Sequence, residues 1–462
     1  MVRLFSHYVP SLTVFRVTLE TLLLFAVVIT AILLQAPNVG HSLAAVALPA
    51  VLFSALMATL MSALGLYQKN LQQSFAAVVG RVVFAFLVGF PVAYFIFQLL
   101  PEVGSYESVL GVTTCFALGS VLVLRAATYA RSTDGSIFAS RVLVVGTGTD
   151  AAAVRDAIEN SRSGSHCIAA FFPVESDGDV SVPQDMVIRS RASIMDLVRR
   201  FEIDEIVVAV RERRGGVLPM QQLLECKLAG VRVTDLSTFF ERMYGQVRVE
   251  SLRASWLIYG EGFRQGWARS FVKRSFDVVV SLALLLITMP IIALTALLIV
   301  IESGFPLIYR QERVGKGGRT FEVLKFRSMR TDAEADGKPR WAGSNDSRVT
   351  RIGKFIRRTR IDELPQIVNV LKGDMSFVGP RPERPFFVDQ LSGQIPYYMT
   401  RHSVKPGITG WAQVRYAYGA SVDDAFQKLQ YDLYYVKNHS LFLDILILFQ
   451  TVRVVISGDG VR

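Results

Sequence analysis

The hydrophobic pattern of this chain changes three times along its length. Near the N-terminus, four continuous apolar stretches follow one another, at Val17–Ala36, Leu43–Leu66, Val82–Leu100 and Leu110–Ala127. Each is long enough as a helix to cross the ~30 Å hydrocarbon core of a bilayer. Their connections are asymmetric in charge. Arg3 and Arg16 precede the first stretch, Lys69 and Arg81 lie between the second and third, and Arg125, Arg131 and Arg141 follow the fourth. The other two connections, Pro37–Ser42 and Pro101–Ser108, hold no Lys or Arg, and the latter carries Glu102 and Glu107. The positive-inside rule then predicts a bundle (1–132) with both ends in the cytoplasm. No small-residue cleavage site follows the first stretch, so it is expected to be retained rather than removed as a signal peptide.

Short β-branched runs then alternate with helical segments over 138–262. Arg141–Gly146, Cys167–Phe172, Ile203–Val210 and Val231–Thr234 read as strands, which predicts a doubly wound, Rossmann-like parallel sheet. The turn Gly146-Thr-Gly148-Thr-Asp-Ala151 between strand and helix has the spacing of a pyrophosphate-binding turn. Gly146 and Gly148 are therefore weak cofactor-binding candidates. The alternative is that these glycines only permit close strand–helix packing, and the acidic residue expected about 20 positions on has no clear match, Glu175 being late.

A fifth apolar stretch, Phe276–Ile301, differs from the first four. Lys273 and Arg274 precede it, Asp277 sits in its first turn and Pro290 interrupts it near the middle. A proline there favours a sharp break. From these residues alone, a kinked but spanning helix and a re-entrant segment that leaves the membrane on the face it entered stand level, and in the second Lys273, Arg274, Asp277 and Pro290 form the membrane anchor. A polar, basic region follows to about Val436, and Leu441–Ile456 reads as an interfacial helix because Asp444, Gln450 and Arg453 punctuate it.

Composition agrees with a membrane protein: 51% of the 462 residues are hydrophobic and the formal charge is +11, with a mean hydropathy of +0.36. The positive charge suits an anionic membrane face or phosphates. No nucleic-acid-binding motif is present, so nucleic acid is not an expected partner. Cys115, Cys167 and Cys226 are far apart and the five histidines are scattered, which argues against disulfides and transition-metal centres.

The chemistry concentrates between Lys273 and Asp432. Asp362-Glu363 are adjacent carboxylates followed by Pro365, and the surrounding sequence is rich in cations: Lys325, Arg348, Arg351, Arg357, Arg358 and Arg360. Acidic residues at a helix start can simply complement its dipole. Among so many cations, they also suit a Mg²⁺ site with a diphosphate, or a carboxylate nucleophile that forms an acyl phosphate.

Seven ordered stretches carry a resemblance. They are Lys273-Arg274-x-x-Asp277, Arg310–Gly315, Lys325-Phe-Arg-Ser-Met329, Asp362-Glu-Leu-Pro-Gln366, Leu371–Ser376, Gly379-Pro-Arg-Pro382 and Pro406–Gly410. Together they resemble the monotopic phosphoglycosyl transferases, also called the bacterial sugar transferase or polyprenyl-phosphate hexose-1-phosphate transferase family. The four N-terminal stretches and the α/β segment are similar to the long form of that family. The resemblance implies a membrane protein of mixed class: four transmembrane helices, a Rossmann-like α/β domain, then a monotopic α/β-type catalytic domain (268–462) with a re-entrant helix at 276–301. It implies transfer of a sugar-1-phosphate from a UDP-sugar to undecaprenyl phosphate, with UMP released, on the cytoplasmic face of a bacterial inner membrane, as the first membrane step of exopolysaccharide synthesis. Carried over by position, Asp362 is the nucleophile and, with Glu363, the Mg²⁺ site, whereas Lys325, Arg327, Arg357, Arg381 and Asp432 serve the substrate phosphates. Implied partners are the two substrates, membrane lipid, a second copy of the chain and downstream glycosyltransferases. Short members carry a further arginine where this chain has Ala417, with Arg415 nearby.

A nicotinamide-dependent dehydratase or epimerase is the competing enzyme class, but no Tyr-x-x-x-Lys pair is present. A membrane scaffold with a decayed site is the non-enzymatic alternative, and the intact Lys325, Arg357, Asp362 and Glu363 speak against it.

Overall fold

The structure is a computed structural model. It describes residues 2–4, 7–9, 11–35, 43–67, 75–98, 107–132, 139–160, 166–174, 180–189, 192–210, 218–249, 266–330, 348–416, 419 and 421–457. Lys69, Glu175 and Ala417 lie outside these residues, as do both connections of the N-terminal bundle that lack Lys and Arg, the second up to residue 106. The chain divides into two compact units, one built mainly from 9–243 and the other mainly from 244–462.

Strands β1 (Val2–Leu4) and β2 (His7–Val9) pair with each other. The first unit then runs through α1 (Ser11–Gln35), α2 (Leu43–Ala63), α3 (Phe75–Gln98) and α4 (Glu107–Ser132). α1 packs on α2 and α4, and α3 packs on the same two helices. Leu24, Phe53, Met57, Ala85 and Val121 fill the centre. The outer face is equally apolar: Leu22, Leu34, Leu87, Phe95, Phe116 and Val123 are each more than half exposed. Water does not tolerate such a surface, whereas lipid does, and these helices are those of a membrane-embedded protein. One charged pair is buried among them. Arg125 holds Glu20 at 2.8 Å and donates to the Leu66 carbonyl, while Tyr67 donates its hydroxyl to Glu20.

Strands β3 (Ser140–Val145), β4 (His166–Phe172), β5 (Glu205–Val208) and β6 (Arg232–Asp235) pair in parallel in the order β4-β3-β5-β6, the order of an open doubly wound sheet. Helices α5 (Thr149–Glu159), α6 (Ile194–Phe201) and α7 (Met220–Leu228) lie between successive strands. Ser193 caps α6, accepting from the Asp196 amide. Gly146 leaves β3 at φ +124°, and a Cβ there would lie 2.6 Å from the Ala209 carbonyl oxygen. Close packing alone therefore requires a glycine at 146. Gly148 caps α5 without a side chain. α8 (Leu236–Tyr244) is fastened to the sheet by Arg242, whose Nη1 and Nη2 lie 2.7 and 3.0 Å from the carboxylate of the fully buried Glu205.

The second unit begins before the apolar stretch. The Trp411 indole donates to the Gly245 carbonyl, and the Val247 amide donates to Gln430. Val247 and Val249 lie inside a core shared with Val370, Phe377, Leu433 and Leu443. α9 (Trp267–Ser303) is a single helix of 37 residues, about 55 Å long. The helix does not end at Pro290 but continues past it. Proline removes one N–H, which leaves the Leu286 carbonyl without its usual donor, but the turns on either side remain bonded. Buried Asp277, Ser281, Thr288, Thr295 and Ile299 form one stripe along α9. The opposite flank is bare, with Leu282, Leu286, Ile287, Met289, Leu294 and Ile301 each more than half exposed.

Both ends of α9 are held by the same unit. Near its start, Arg274 donates to the Val370 and Leu371 carbonyls. Asp277 accepts from the Ser376 hydroxyl and the Phe377 amide, and Lys273 lies 2.7 Å from Asp444. Lys273, Arg274 and Asp277 are thus tied into protein rather than only held at an interface. At the far end Ile299 packs on Phe326 and Ile356, and Glu302 accepts from the Arg351 and Ile352 amides. Arg327 completes the end: its Nη2 donates to the carbonyls of Ser303 and Gly304 and to the Ser303 hydroxyl.

The rest of the unit comprises the antiparallel hairpin β7 (Ile308–Val314) and β8 (Thr320–Phe326), α10 (Arg351–Arg358), α11 (Gln366–Lys372), β9 (Ser376–Val378), α12 (Pro385–Gln394), β10 (Gly407–Thr409), α13 (Trp411–Arg415), α14 (Val422–Asn438) and α15 (Leu441–Ser457). β9 and β10 pair in parallel. α15 turns Leu443, Asp444, Ile447 and Gln450 inward and leaves Arg453 half-buried and Val452 exposed, so two of the three polar residues that punctuate it face protein. Replacing Arg327 by Met strips the last turn of α9 of a charged cap. It should cost about 2–3 kcal/mol, read as a lowered thermal-unfolding midpoint of the detergent-solubilised protein. An unchanged midpoint would mean that the cap contributes nothing.

Candidate active site

Asp362 and Glu363 do not open an α-helix. α10 ends at Arg358, Arg360 takes a left-handed conformation (φ 60°), and a single 3-10 turn, Ile361–Glu363, carries both acids before α11 starts at Gln366. The left-handed residue reverses the chain sharply and separates the acids from both flanking helices. α11 in turn is pinned to β8, because Asn369 accepts from the Leu324 amide and donates to the Glu322 carbonyl. That fixes Lys325, the next residue on β8, against the turn.

The two acids meet different surroundings. Three cations converge on one oxygen of Glu363: Arg381 Nη2 at 3.0 Å, Lys325 Nζ at 3.5 Å and Arg360 Nη1 at 3.6 Å from Oε1. Among the described residues, Oε2 has no hydrogen-bond or ion-pair partner. Burial pushes the Glu363 carboxyl up, but Arg381, Lys325 and Arg360 outweigh it and hold the group ionised, well below the usual range. Asp362 is 8% exposed and has no cation within ion-pair distance among the described residues. Burial first, and then the neighbouring Glu363 charge, raise its pKa to about 6, with Lys325, Arg360 and Arg357 opposing. Desolvation lowers that of Lys325. Arg357 Nη1 is buried and unpartnered. It is a donor left over near an acid left over, which suits an incoming phosphate oxygen.

Of the residues singled out in the sequence, the structure brings Lys325, Arg357, Asp362, Glu363 and Arg381 together. Arg327 spends one arm on the end of α9, with Nε and Nη1 buried and unpartnered. Asp432, on α14, is buried against Arg401, 2.8 Å away. Arg351 opens α10 at the end remote from the acids. Gly146 and Gly148 belong to the other unit. Arg415 stacks 4.3 Å over the Trp411 ring. Sequence reasoning passed over Arg401, whose partner is 31 positions away, and gave Arg360 no particular role. Its left-handed backbone has no signature in a non-glycine residue.

Asp362 should therefore titrate near pH 6 in the folded protein. A carboxyl-stretch band lost between pH 5 and 7 in infrared difference spectra, and absent from Asp362→Asn, would show it. In Glu363→Gln the same band should disappear at lower pH, because the neighbouring charge is gone. Loss of the wild-type band near the ordinary aspartate value of about 4 would contradict the asymmetry.

Comparison with known proteins fits this geometry. The family described as bacterial sugar transferase matches residues 268–458, a stretch within the second unit that includes both acids. The chain is 45% identical over 240 residues to UDP-N-acetylgalactosamine-undecaprenyl-phosphate N-acetylgalactosaminephosphotransferase of Aeromonas hydrophila, covering 52% of this chain and 56% of that protein. It is 43% identical over 183 residues to UDP-glucose:undecaprenyl-phosphate glucose-1-phosphate transferase of Escherichia coli, covering 39% of each. These matches span about half, or less, of those relatives. A longer one, 30% identical over 371 residues, joins 75% of this chain to 74% of the undecaprenyl-phosphate galactose phosphotransferase of Salmonella typhimurium. With its acids on one clamped turn and a relative matched along three quarters of both chains, the chain belongs to the bacterial sugar transferase family.

Proposed function

We propose that this protein transfers a sugar-1-phosphate from a UDP-sugar to undecaprenyl phosphate through a covalent intermediate on Asp362. The observation that carries the reading is the asymmetry of the two acids: Glu363 is neutralised by three cations, whereas Asp362 is beside it, buried and unpaired. An unpaired, desolvated carboxylate is a better nucleophile than one held in an ion pair. An Asp362 oxygen attacks the sugar-bearing phosphorus, the bond from that phosphorus to the bridging oxygen breaks, and UMP leaves. A phosphate oxygen of undecaprenyl phosphate then attacks the same phosphorus, which breaks the acyl-phosphate bond and frees the carboxylate. Lys325, Arg357 and Arg381 offset the charge on the phosphate oxygens in both steps.

Both carboxylates are hard oxygen donors, and among the described residues Glu363 Oε2 has no partner, since the three cations meet Oε1. That donor set fits Mg²⁺, with phosphate and water completing the shell. Among the described residues, no third His, Cys or carboxylate joins the pair. When bound, Mg²⁺ supplies positive charge to the diphosphate and stabilises the leaving UMP. The relatives' names support a UDP-sugar and undecaprenyl phosphate as substrates. The α/β sheet of the first unit, read as Rossmann-like, takes no part in the chemistry.

We read the placement from α9. Held at both ends by one polar unit, with a bare apolar flank between, it would dip into the bilayer and return to the cytoplasmic face of the inner membrane by bending at Pro290, where the hydrogen bond to the Leu286 carbonyl is missing. This sets Asp362 near the headgroups, where the lipid phosphate lies. The four N-terminal helices cross.

Asp362→Asn should abolish UMP release from UDP-sugars, and Glu363→Gln should lower the rate about 10²- to 10³-fold while raising the Mg²⁺ requirement. A fully active Asp362→Asn protein would rule out the mechanism. In a background lacking Cys115, Cys167 and Cys226, single cysteines at Ser270 and Lys316 should both resist a membrane-impermeant thiol reagent in spheroplasts and react once the membrane is opened. Labelling of the Lys316→Cys site from outside would mean that α9 crosses.

A further inference from the structure

Arg381 is the cation nearest Glu363, and its own backbone is held by a buried assembly that the chemistry above does not use. Arg401 lies on the 3-10 helix Tyr398–Ser403 and is 5% exposed. Its Nε and Nη2 lie 3.1 and 2.8 Å from Asp432 Oδ2. Its Nη1 donates to the Tyr398 hydroxyl at 2.7 Å, and its Nη2 donates to the Arg381 carbonyl at 3.0 Å. On the other side of the same segment, Arg313 Nη1 donates to the Pro382 carbonyl at 2.9 Å, and the Val314 amide donates to the Glu383 carbonyl at 2.9 Å. Residues 381–383 are thus gripped from two directions, and the Arg381 side chain leaves this grip to reach Glu363 Oε1 at 3.0 Å.

Arg401 has its charge matched by Asp432 and three of its nitrogens committed, so it has nothing left to offer a substrate phosphate. It can reach the chemistry only through Arg381. We infer that Arg401, fixed by Asp432 and Tyr398, is a positioning residue: it sets the Arg381 backbone so that the Arg381 guanidinium stays on Glu363 and leaves Asp362 unpaired. This gives Asp432 a supporting role in place of phosphate contact. Asp432 selects the orientation of Arg401, Arg401 selects that of Arg381, and Arg381 decides which acid is neutralised. The inference rests on the transferase reading only for its kinetic consequence, since the chain of contacts stands without it.

Full-length Arg401→Lys, Arg381→Lys and the double variant, purified in lipid nanodiscs, separate positioning from mere support. Lysine keeps a charge for Asp432 but cannot also bond Tyr398 and the Arg381 carbonyl. Arg401→Lys should lower kcat for UMP release about tenfold with the UDP-sugar KM within about twofold, and that loss should shrink to less than about twofold in the Arg381→Lys background. The shifts in thermal midpoint should simply add. Tyr398→Phe removes one acceptor without breaking the buried pair, and its smaller loss in kcat should vanish in the same background. Additive losses in kcat, or a lowered midpoint with kcat intact, would make Arg401 a structural residue only and overturn the inference. A cryo-EM structure of Arg401→Lys supplies an arm independent of activity: Arg381 should have left Glu363, and a retained contact near 3.0 Å refutes the coupling. Inactivity of the wild type, or activity of Asp362→Asn, would instead count against the transferase reading.

Discussion

Three cations on one oxygen of Glu363 are the interaction on which the rest of the site depends. Two adjacent buried carboxylates repel each other, and without compensation one would take up a proton. Concentrating Lys325, Arg360 and Arg381 on Glu363 resolves the conflict in one direction. Glu363 stays charged and immobile, and Asp362 inherits a raised pKa and no partner. The arrangement requires parts from distant stretches of chain. β8 delivers Lys325, the left-handed Arg360 delivers itself, and the loop after β9 delivers Arg381. Much of the unit's packing serves this convergence: Asn369 fixes β8 to α11, and Arg313 and Arg401 fix the loop.

The same unit also carries the long apolar helix α9. α9 is joined to it near one end by Lys273, Arg274 and Asp277 and at the other by Glu302, Ser303 and Arg327. These are ionic and hydrogen-bonded contacts, part-buried near the start of α9 and exposed at Glu302. Between them the helix offers lipid an apolar flank. The two acids and the apolar flank are thus built on one unit, which suits the proposed reaction between a water-soluble nucleotide sugar and a phosphate fixed at the surface.

Much of this was legible in the sequence because it is local. Four apolar runs marked helices α1–α4, and β-branched runs marked the strands of the parallel sheet to within one or two residues at each end. The adjacent acids at 362 and 363 were visible as such, and of the cations in their motifs Lys325, Arg357 and Arg381 lie in the candidate site. What was not legible is long-range or conformational. Nothing in the spacing shows that Asp432 faces Arg401, or that Arg327 caps a helix that ends 24 residues earlier. Pro290 signalled an end to the helix, yet the helix continues past it, because the turns on either side keep their own hydrogen bonds. The packing of Val247 and Val249 in the second core was equally hidden, because two valines after a helix look like any linker.

The central claim is that Asp362 becomes covalently bonded to the phosphosugar. The direct measurement is mass spectrometry of the wild-type protein, quenched in acid after incubation with UDP-sugar and Mg²⁺ in the absence of lipid acceptor. A mass increase of one sugar phosphate, mapped to Asp362 and removed on adding undecaprenyl phosphate, is the expected result. An adduct on any other residue, or UMP formed at full rate with no adduct at any time point, would contradict the account.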